Sequence, residues 1–202
     1  METIGDYLFA FAVYGGIFLV VGGLIYLAIW LLRPKKEVVE NWRQAEMALG
    51  LTYKQPSVGY PILEGQFANY SVKLQGSPAS GGGNTRSTPA QTHYSAFHNN
   101  DKMPILRLEV DDDIFLRKDR EVGDPDFDEK FQISFAKEAV ARNVFSDPAV
   151  RQKIMALNYP VVYINKDQVT VSEKDVQGDP NIMRDRLQLA VALAQTVENL
   201  HP

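Results

Sequence analysis

Three hydrophobic patterns follow one another along the chain, and the first is an uninterrupted apolar run. It extends from Tyr7 to Leu32 and contains no charged residue. A helix needs about 20 apolar residues to cross the ~30 Å hydrocarbon core of a bilayer, and a helix satisfies its own backbone hydrogen bonds there. The run therefore predicts a transmembrane helix over 7–32, after a short N-terminal tail over 1–6.

The second pattern is apolar recurrence at helical spacing. It appears over 33–50, and this segment is predicted to form an amphipathic juxtamembrane helix. Its polar face mixes Glu with Arg, which favours packing on the following domain over binding to lipid. Helical spacing returns over 147–157 and over 181–200, where it predicts two further helices.

The third pattern is alternation of apolar and polar residues, which predicts β-strands. Strands are expected in "LTYKQ", "PILEGQF", "YSVKLQG", "HYSAFH" and "PILRLEV", and later as a hairpin in "PVVYIN" and "QVTVSE". The second and third strands are expected to form a hairpin through Ala68 and Asn69. This order predicts an α+β domain over 51–202, an antiparallel sheet with helices on one face. The Gly- and Ser-rich segment 76–92 is expected to be a flexible loop within it.

Charges beside the apolar run predict its orientation. Arg33, Lys35 and Lys36 follow the run, and acidic residues precede it. By the positive-inside rule, we expect a single-pass protein of the cell (inner) membrane, with its N-terminus outside and its C-terminal domain cytoplasmic.

Small residues recur within the apolar run. Such residues let a second helix approach closely in lipid. The predicted helix-packing residues are Ala12, Gly15, Gly16, Gly22 and Gly23. The expected partner is another transmembrane helix, from a second copy or from a membrane complex. The competing explanation is that glycine is common in membrane helices.

Composition excludes several kinds of chemistry. The chain has no cysteine, which excludes disulfides, zinc-thiolate sites and cysteine nucleophiles. Its formal net charge of −4 argues against nucleic acid as a partner. His93 and His98 are five residues apart on a predicted strand and should point to opposite faces, so a shared metal ion is not expected. We predict no cofactor and no metal site.

The spacing of Asp124, Asp126 and Asp128 matches the first three ligand positions of a calcium-binding EF-hand loop. That loop also requires glycine at its sixth position and glutamate at its twelfth. These positions are occupied by Glu129 and Phe135, so an EF-hand is excluded.

The same segment also fits ordinary turn chemistry. Asp-Pro occurs at 124–125, 147–148 and 179–180, and the last two pairs stand directly before predicted helices, where Asp caps and Pro begins a helix. On this interpretation Phe127 and Phe131 anchor the segment to the core while the carboxylates face water. An acidic docking surface for a basic partner is the alternative, comprising Asp111, Asp112, Asp113, Asp124, Asp126, Asp128 and Glu129.

The order of "ILEGQFANYSVKL", "GDPDFDEKFQI" and "FSDPAVRQKIMAL" resembles a loose group of uncharacterised bacterial proteins. Members have one or two membrane helices and a soluble domain of unknown function. In that group a Gly-Asp-Pro-x-Phe-Asp segment precedes a strand, and a Pro-x-x-Arg helix follows. The resemblance spans 49–200 and implies a bacterial membrane location, without an activity, a ligand or a catalytic residue.

Catalytic motifs are absent from the sequence. It contains no Gly-x-Ser-x-Gly elbow, no P-loop and no His-Glu-x-x-His. We therefore expect a non-enzymatic protein whose domain mediates protein interaction, as an accessory or assembly subunit of a bacterial membrane complex. Two alternatives stay open: a membrane-anchored module that binds a ligand or a lipid headgroup, and a hydrolase that uses two carboxylates.

Overall fold

The computed structural model describes residues 4–31, 34–56, 59–79, 89–111 and 120–200, and the side chains of the first helix over 14–27. The helices are α1 (Ile4–Leu31), α2 (Lys36–Leu49), α3 (Pro125–Lys130), α4 (Glu138–Val144), α5 (Pro148–Met155) and α6 (Pro180–Asn199). The strands are β1 (Thr52–Lys54), β2 (Ile62–Phe67), β3 (Tyr70–Ser77), β4 (Gln91–Phe97), β5 (Leu106–Val110), β6 (Phe131–Ser134), β7 (Val161–Ile164) and β8 (Gln168–Lys174).

These strands form one antiparallel sheet in the order β1-β2-β3-β4-β8-β7-β5-β6. The two predicted hairpins, β2–β3 and β7–β8, are confirmed. Ala68 and Asn69 link the first pair with φ of 48° and 70°. Two consecutive residues of positive φ match the right-handed twist of the flanking strands. The chain thus builds an α+β domain around an eight-stranded sheet.

One face of the sheet is apolar, and the core lies on it. A row of cross-strand partners crosses all eight strands on this face: Tyr53, Leu63, Leu74, Tyr94, Val171, Val162, Leu108 and Ile133. Helix α6 packs on β4 and β8, and α2, α4 and α5 pack against α6. Helix α6 buries one long stripe, which includes Met183, Leu187 and Ala194. Since side chains alternate along a strand, every second residue contributes to this core.

Asp-Pro pairs begin three of the helices. Asp147 accepts a hydrogen bond from the Ala149 amide at 2.8 Å, and Asp179 accepts one from the Asn181 amide at 2.8 Å. These bonds satisfy amides that have no partner within the helix. The prediction that these two pairs cap α5 and α6 is confirmed.

Helix α2 is fastened to the domain by Trp42. Its side chain is fully buried, and its Nε1 donates to the Gln177 carbonyl at 2.8 Å. Ala45 and Leu49 are buried on the same side of the helix. The expected packing of this amphipathic helix on the domain is confirmed.

The predicted transmembrane helix is contradicted by the structure. Within the residues described, no helix is long and apolar enough to cross a membrane. The prediction of a membrane-spanning helix over 7–32 is therefore wrong, and so is the single-pass location in the inner membrane with a cytoplasmic domain.

Two short helices, α3 and α4, were not expected from the sequence. They have 6 and 7 residues, too few for a clear hydrophobic period. The strand that the resemblance implies after the Gly-Asp-Pro-x-Phe-Asp segment is present as β6. The predicted loop 76–92 also differs, because β3 extends to Ser77 and β4 begins at Gln91. The middle of that loop, 80–88, lies outside the described residues.

Candidate interaction face of the sheet

The carboxylate of Asp128 is directed into the protein and holds the turn that precedes α3. It accepts hydrogen bonds from the amides of Val122, Gly123 and Asp124 at 2.8, 2.9 and 3.1 Å. The residue is only 9% exposed. The expectation that this carboxylate faces water is wrong, because three convergent backbone N–H groups form an internal anion site for it.

Asp124 is also committed to internal bonds. It caps α3 by accepting from the Phe127 amide at 3.3 Å, and it accepts from Arg151 Nε at 2.7 Å. Arg151, followed by the cap, holds the pKa of Asp124 below its ordinary value of 3.8. Arg151 Nη1 donates in turn to the carbonyls of Phe145 and Ser146. The guanidinium therefore joins α5 to the start of α3 and to the two residues that follow α4.

The predicted aromatic anchors of this segment are confirmed. Phe127 and Phe131 are buried, and their ring centroids lie 4.8 Å apart. The centroid of the Phe127 ring also lies 5.7 Å from that of Phe145, the residue directly after α4. The most specific part of the sequence pattern thus has a structural role.

The remaining acidic positions are divided between solvent and the parts of the chain that are not described. Asp126 and Glu129 are exposed, and Asp111 is half-buried. Asp112 and Asp113 lie outside the described residues. No group of three or more His, Asp or Glu side chains in the described ranges is arranged to hold a metal ion. The acidic docking surface stays a prediction.

The predicted helix-packing glycines lie on α1. A Cβ built at Gly15, Gly16, Gly22 or Gly23 would meet no atom within 4 Å among the described residues. The side chain of Ala12 lies outside the described part. Helix packing at these positions also stays a prediction.

The face of the sheet opposite the core is polar, and we call it the polar face. Two rows of cross-strand partners run across it. The first row consists of Thr52, Glu64, Lys73, Ser95, Thr170, Tyr163, Arg107 and Ser134. The second row consists of Lys54, Ile62, Gln75, His93, Ser172, Val161, Glu109 and Gln132. Helix α6, which contacts the central strands β4 and β8, packs on the opposite, core face.

The middle of the polar face is a block of nine side chains on β3, β4 and β8, which we call the central patch. It comprises Lys73, Gln75 and Ser77, then Ser95, His93 and Gln91, then Thr170, Ser172 and Lys174. Every member is polar. Two lysines stand at opposite corners of the block, and none of the nine is a carboxylate.

His93 is the centre of the central patch. Its Nε2 lies 2.9 Å from Ser77 Oγ, and its Nδ1 lies 2.7 Å from Ser172 Oγ. Beside it, Ser95 Oγ and Thr170 Oγ1 are 2.9 Å apart. Burial lowers the pKa of His93 below its ordinary 6.5, so the ring is neutral near pH 7. A neutral imidazole has one donor and one acceptor nitrogen, and the two hydroxyls supply the matching groups.

His98 does not share a site with His93. It follows the end of β4, is 5% exposed, and its Nδ1 accepts from the Asn100 amide at 3.2 Å. Its Nε2 is buried without a hydrogen-bond partner in the described part of the chain. Burial lowers the pKa of His98, although Glu198 and Asp167 act in the opposite direction.

Charge on the polar face differs in sign from the charge of the chain. Its strands carry four cations, Lys54, Lys73, Arg107 and Lys174, and two carboxylates, Glu64 and Glu109. Each carboxylate is already paired, Glu64 with Lys54 and Glu109 with Arg107. The balance of 4 − 2 = +2 contrasts with −4 for the whole chain. The surplus positive charge lies on the two lysines of the central patch.

Beneath the central patch, a buried ion pair ties the sheet to α6. The Tyr94 hydroxyl donates to Glu173 Oε1 at 3.1 Å, and Arg186 Nε donates to Glu173 Oε2 at 3.3 Å. Burial and the adjacent carboxylate strongly raise the pKa of Tyr94, so it remains a donor. This arrangement links β4 and β8 to α6 on the core side of the central patch.

Comparison with solved structures supports the fold. The chain resembles the crystal structure of the mycobacterial trehalose monomycolate transport factor A, TtfA, with a TM-score of 0.58. The match covers 83% of this chain and 98% of that one, at 10% sequence identity. This likeness shows a shared fold. No protein-family model matches the chain, and no curated protein does.

Sequence reasoning did not find the polar face, although the sequence contains a signal for it. In "YSVKLQGS" the positions between the buried residues are Ser71, Lys73, Gln75 and Ser77, all polar. The alternation predicts the core, and its polar half marks the opposite face of the sheet. The neighbouring strand, needed to assemble the central patch, comes from far along the chain.

Proposed function

We propose that this chain is a non-enzymatic accessory protein whose α+β domain binds another protein through its polar face. The observation that carries this proposal is the central patch, a block of nine polar side chains on the face of the sheet opposite the core, in which Gln75 is exposed and Ser95 and Ser172 are buried. Such a surface offers many hydrogen-bonding groups in fixed positions. A partner that matches them gains specificity from each one.

The arrangement of groups in the central patch favours binding over catalysis. His93 is its one side chain with an ordinary pKa near neutrality, and both ring nitrogens are bonded to hydroxyls. A serine nucleophile would also need an acid that orients the base and donors that stabilise the oxyanion. The carboxylates of the polar-face strands are instead paired with Lys54 and Arg107.

The shared fold supports an accessory role in a bacterial transport process. The similar structure is that of a mycobacterial transport factor. We extend this role to the present chain as part of the proposal. The resemblance to bacterial proteins with a Gly-Asp-Pro-x-Phe-Asp segment is consistent with a bacterial source. The ligand-binding and carboxylate-hydrolase alternatives remain predictions from the sequence.

Site-specific photo-cross-linking tests the proposal. A benzoylphenylalanine at Gln75, exposed on the polar face, should capture one defined protein in the native cells. The matched control is Gln188, which is exposed on α6. Capture from Gln75 and not from Gln188 supports the proposal. If Gln188 captures the same protein and Gln75 captures none, binding runs through the helical side and the proposal is wrong.

A further inference from the structure

We propose that the central patch recognises an acidic, extended segment of the partner, whose carboxylates bind beside Lys73 and Lys174. This inference rests on the proposed function and adds the chemistry of the partner. It differs from the acidic docking surface expected from the sequence, because the docking charge on this chain is positive.

Charge complementarity is the first argument. Lys73 lies across from Glu64, but Glu64 is paired with Lys54, and in the described ranges Lys73 has no carboxylate partner. Lys174 places its Nζ 5.4 Å from the centre of the Tyr159 ring and, among the residues that the structure describes, is paired with no carboxylate. Two ammonium groups in a block without carboxylates attract an anionic segment and repel a basic one.

The hydroxyl groups supply the second argument. When His93 is neutral, one of Ser77 and Ser172 donates its hydroxyl hydrogen to the ring, and the other accepts from the ring. Ser172 is buried and Ser77 is half-buried, so Ser77 is the hydroxyl that a bound group can reach. The amide side chains of Gln75 and Gln91 add N–H donors. Ionised carboxylates only accept hydrogen bonds, so they match this set.

Spacing favours an extended segment. Lys73 and Lys174 are two strands and four residue positions apart, which places their Cα atoms about 16 Å apart for ~4.8 Å between strands and ~3.3 Å per residue. An extended peptide covers that distance in about five residues. Acidic residues about five positions apart would therefore reach both lysines. A groove of about 550 Å³ beside Lys73, reaching to Phe97 and Thr52, offers room for the segment to continue.

Titration of the ¹⁵N-labelled full chain with a synthetic peptide tests the inference. The probe is a twelve-residue Ser/Thr/Gly peptide with Glu at two positions five apart. We expect amide shifts concentrated on β3, β4 and β8. Lys73→Gln with Lys174→Gln should weaken binding at least tenfold, whereas Lys36→Gln with Lys153→Gln, exposed helix positions with the same charge change, should leave it within twofold.

Three results would overturn the inference. One is equal binding of a peptide with Lys in place of both Glu residues. Another is equal binding of the Glu peptide to the chain and to its Lys73/Lys174 double variant. The third is displacement of the peptide by inorganic phosphate at equal concentration, which would indicate a single-anion site. If any of these occurs while Gln75 still cross-links its partner, only the partner's chemistry is wrong and the proposed function stands.

Discussion

Arg151 Nε donates to Asp124 Oδ2 at 2.7 Å, which joins two parts of the chain 27 residues apart. Asp124 begins α3, and Arg151 lies on α5. The Gly-Asp-Pro-x-Phe-Asp segment and the Pro-x-x-Arg helix of this chain are therefore two halves of one structural unit. Asp124 and Asp128 hold the turn before α3 and so position β6. The segment therefore has a structural role.

Replacing Asp128 by Asn should destabilise the domain. The amide side chain keeps one acceptor oxygen for three backbone donors and brings its own N–H₂ group towards them. Leaving buried donors unsatisfied costs about 1–3 kcal/mol of the free energy of unfolding. Urea denaturation measures the change. Asp126→Asn is the control, since Asp126 is exposed and should change stability by less than about 0.5 kcal/mol. Equal effects of both variants would contradict the internal role of Asp128.

Removal of Arg186 should cost more than removal of the Tyr94 hydroxyl. Arg186→Met leaves the carboxylate of Glu173 buried without its cation, which typically costs about 3 kcal/mol. Tyr94→Phe removes one hydrogen bond to the same carboxylate and should cost about 1–2 kcal/mol. The double variant should show a non-additive change, because both groups bind Glu173. Additive losses would mean that the two groups act independently.

Stability should fall on mild acidification. Burial lowers the pKa of His93 and His98 below 6.5 in the folded protein. The unfolded chain therefore binds more protons just below pH 6.5, so the free energy of unfolding decreases as the pH falls through 6.5 and levels off below the folded pKa values. Thermal unfolding across this range measures the slope. His98→Asn should reduce it, and an unchanged slope in that variant would show that His98 does not contribute.

Backbone strain at Phe135 gives a further prediction. This residue has φ of 73° and is 69% exposed, directly after β6. A side chain with a Cβ in the left-handed region costs roughly 1 kcal/mol or more, whereas glycine adopts it freely. Phe135→Gly should therefore be more stable than Phe135→Ala by about 1 kcal/mol in chemical denaturation. If the Ala variant is the more stable of the two, the backbone at 135 is not strained.

Local features of the sequence predicted local structure. The Asp-Pro pairs at 147 and 179 cap helices because the cap needs only an acceptor next to the first free amides. Ala68 and Asn69 turn the β2–β3 hairpin within two residues. The membrane helix failed as a prediction, since the described part contains no helix that meets the length and polarity needed to span a bilayer. The burial of Asp128 could not be predicted from the sequence, because its partners are backbone amides, which residue identity does not reveal.

Alternation of polar and apolar residues determined which side chains share a face of each strand, because successive side chains point to opposite sides. It could not determine which strands are neighbours. His93 and Ser172 are 79 residues apart, and they meet only because β8 pairs with β4 after the chain has passed through β5, β6, β7 and three short helices. That pairing forms because the apolar faces of the strands are buried at the same time in one core beneath α6. The sequence by itself thus determined which side chains of each strand are polar and share a face. The tertiary structure alone decided that the polar side chains of β3, β4 and β8 lie next to one another in the central patch.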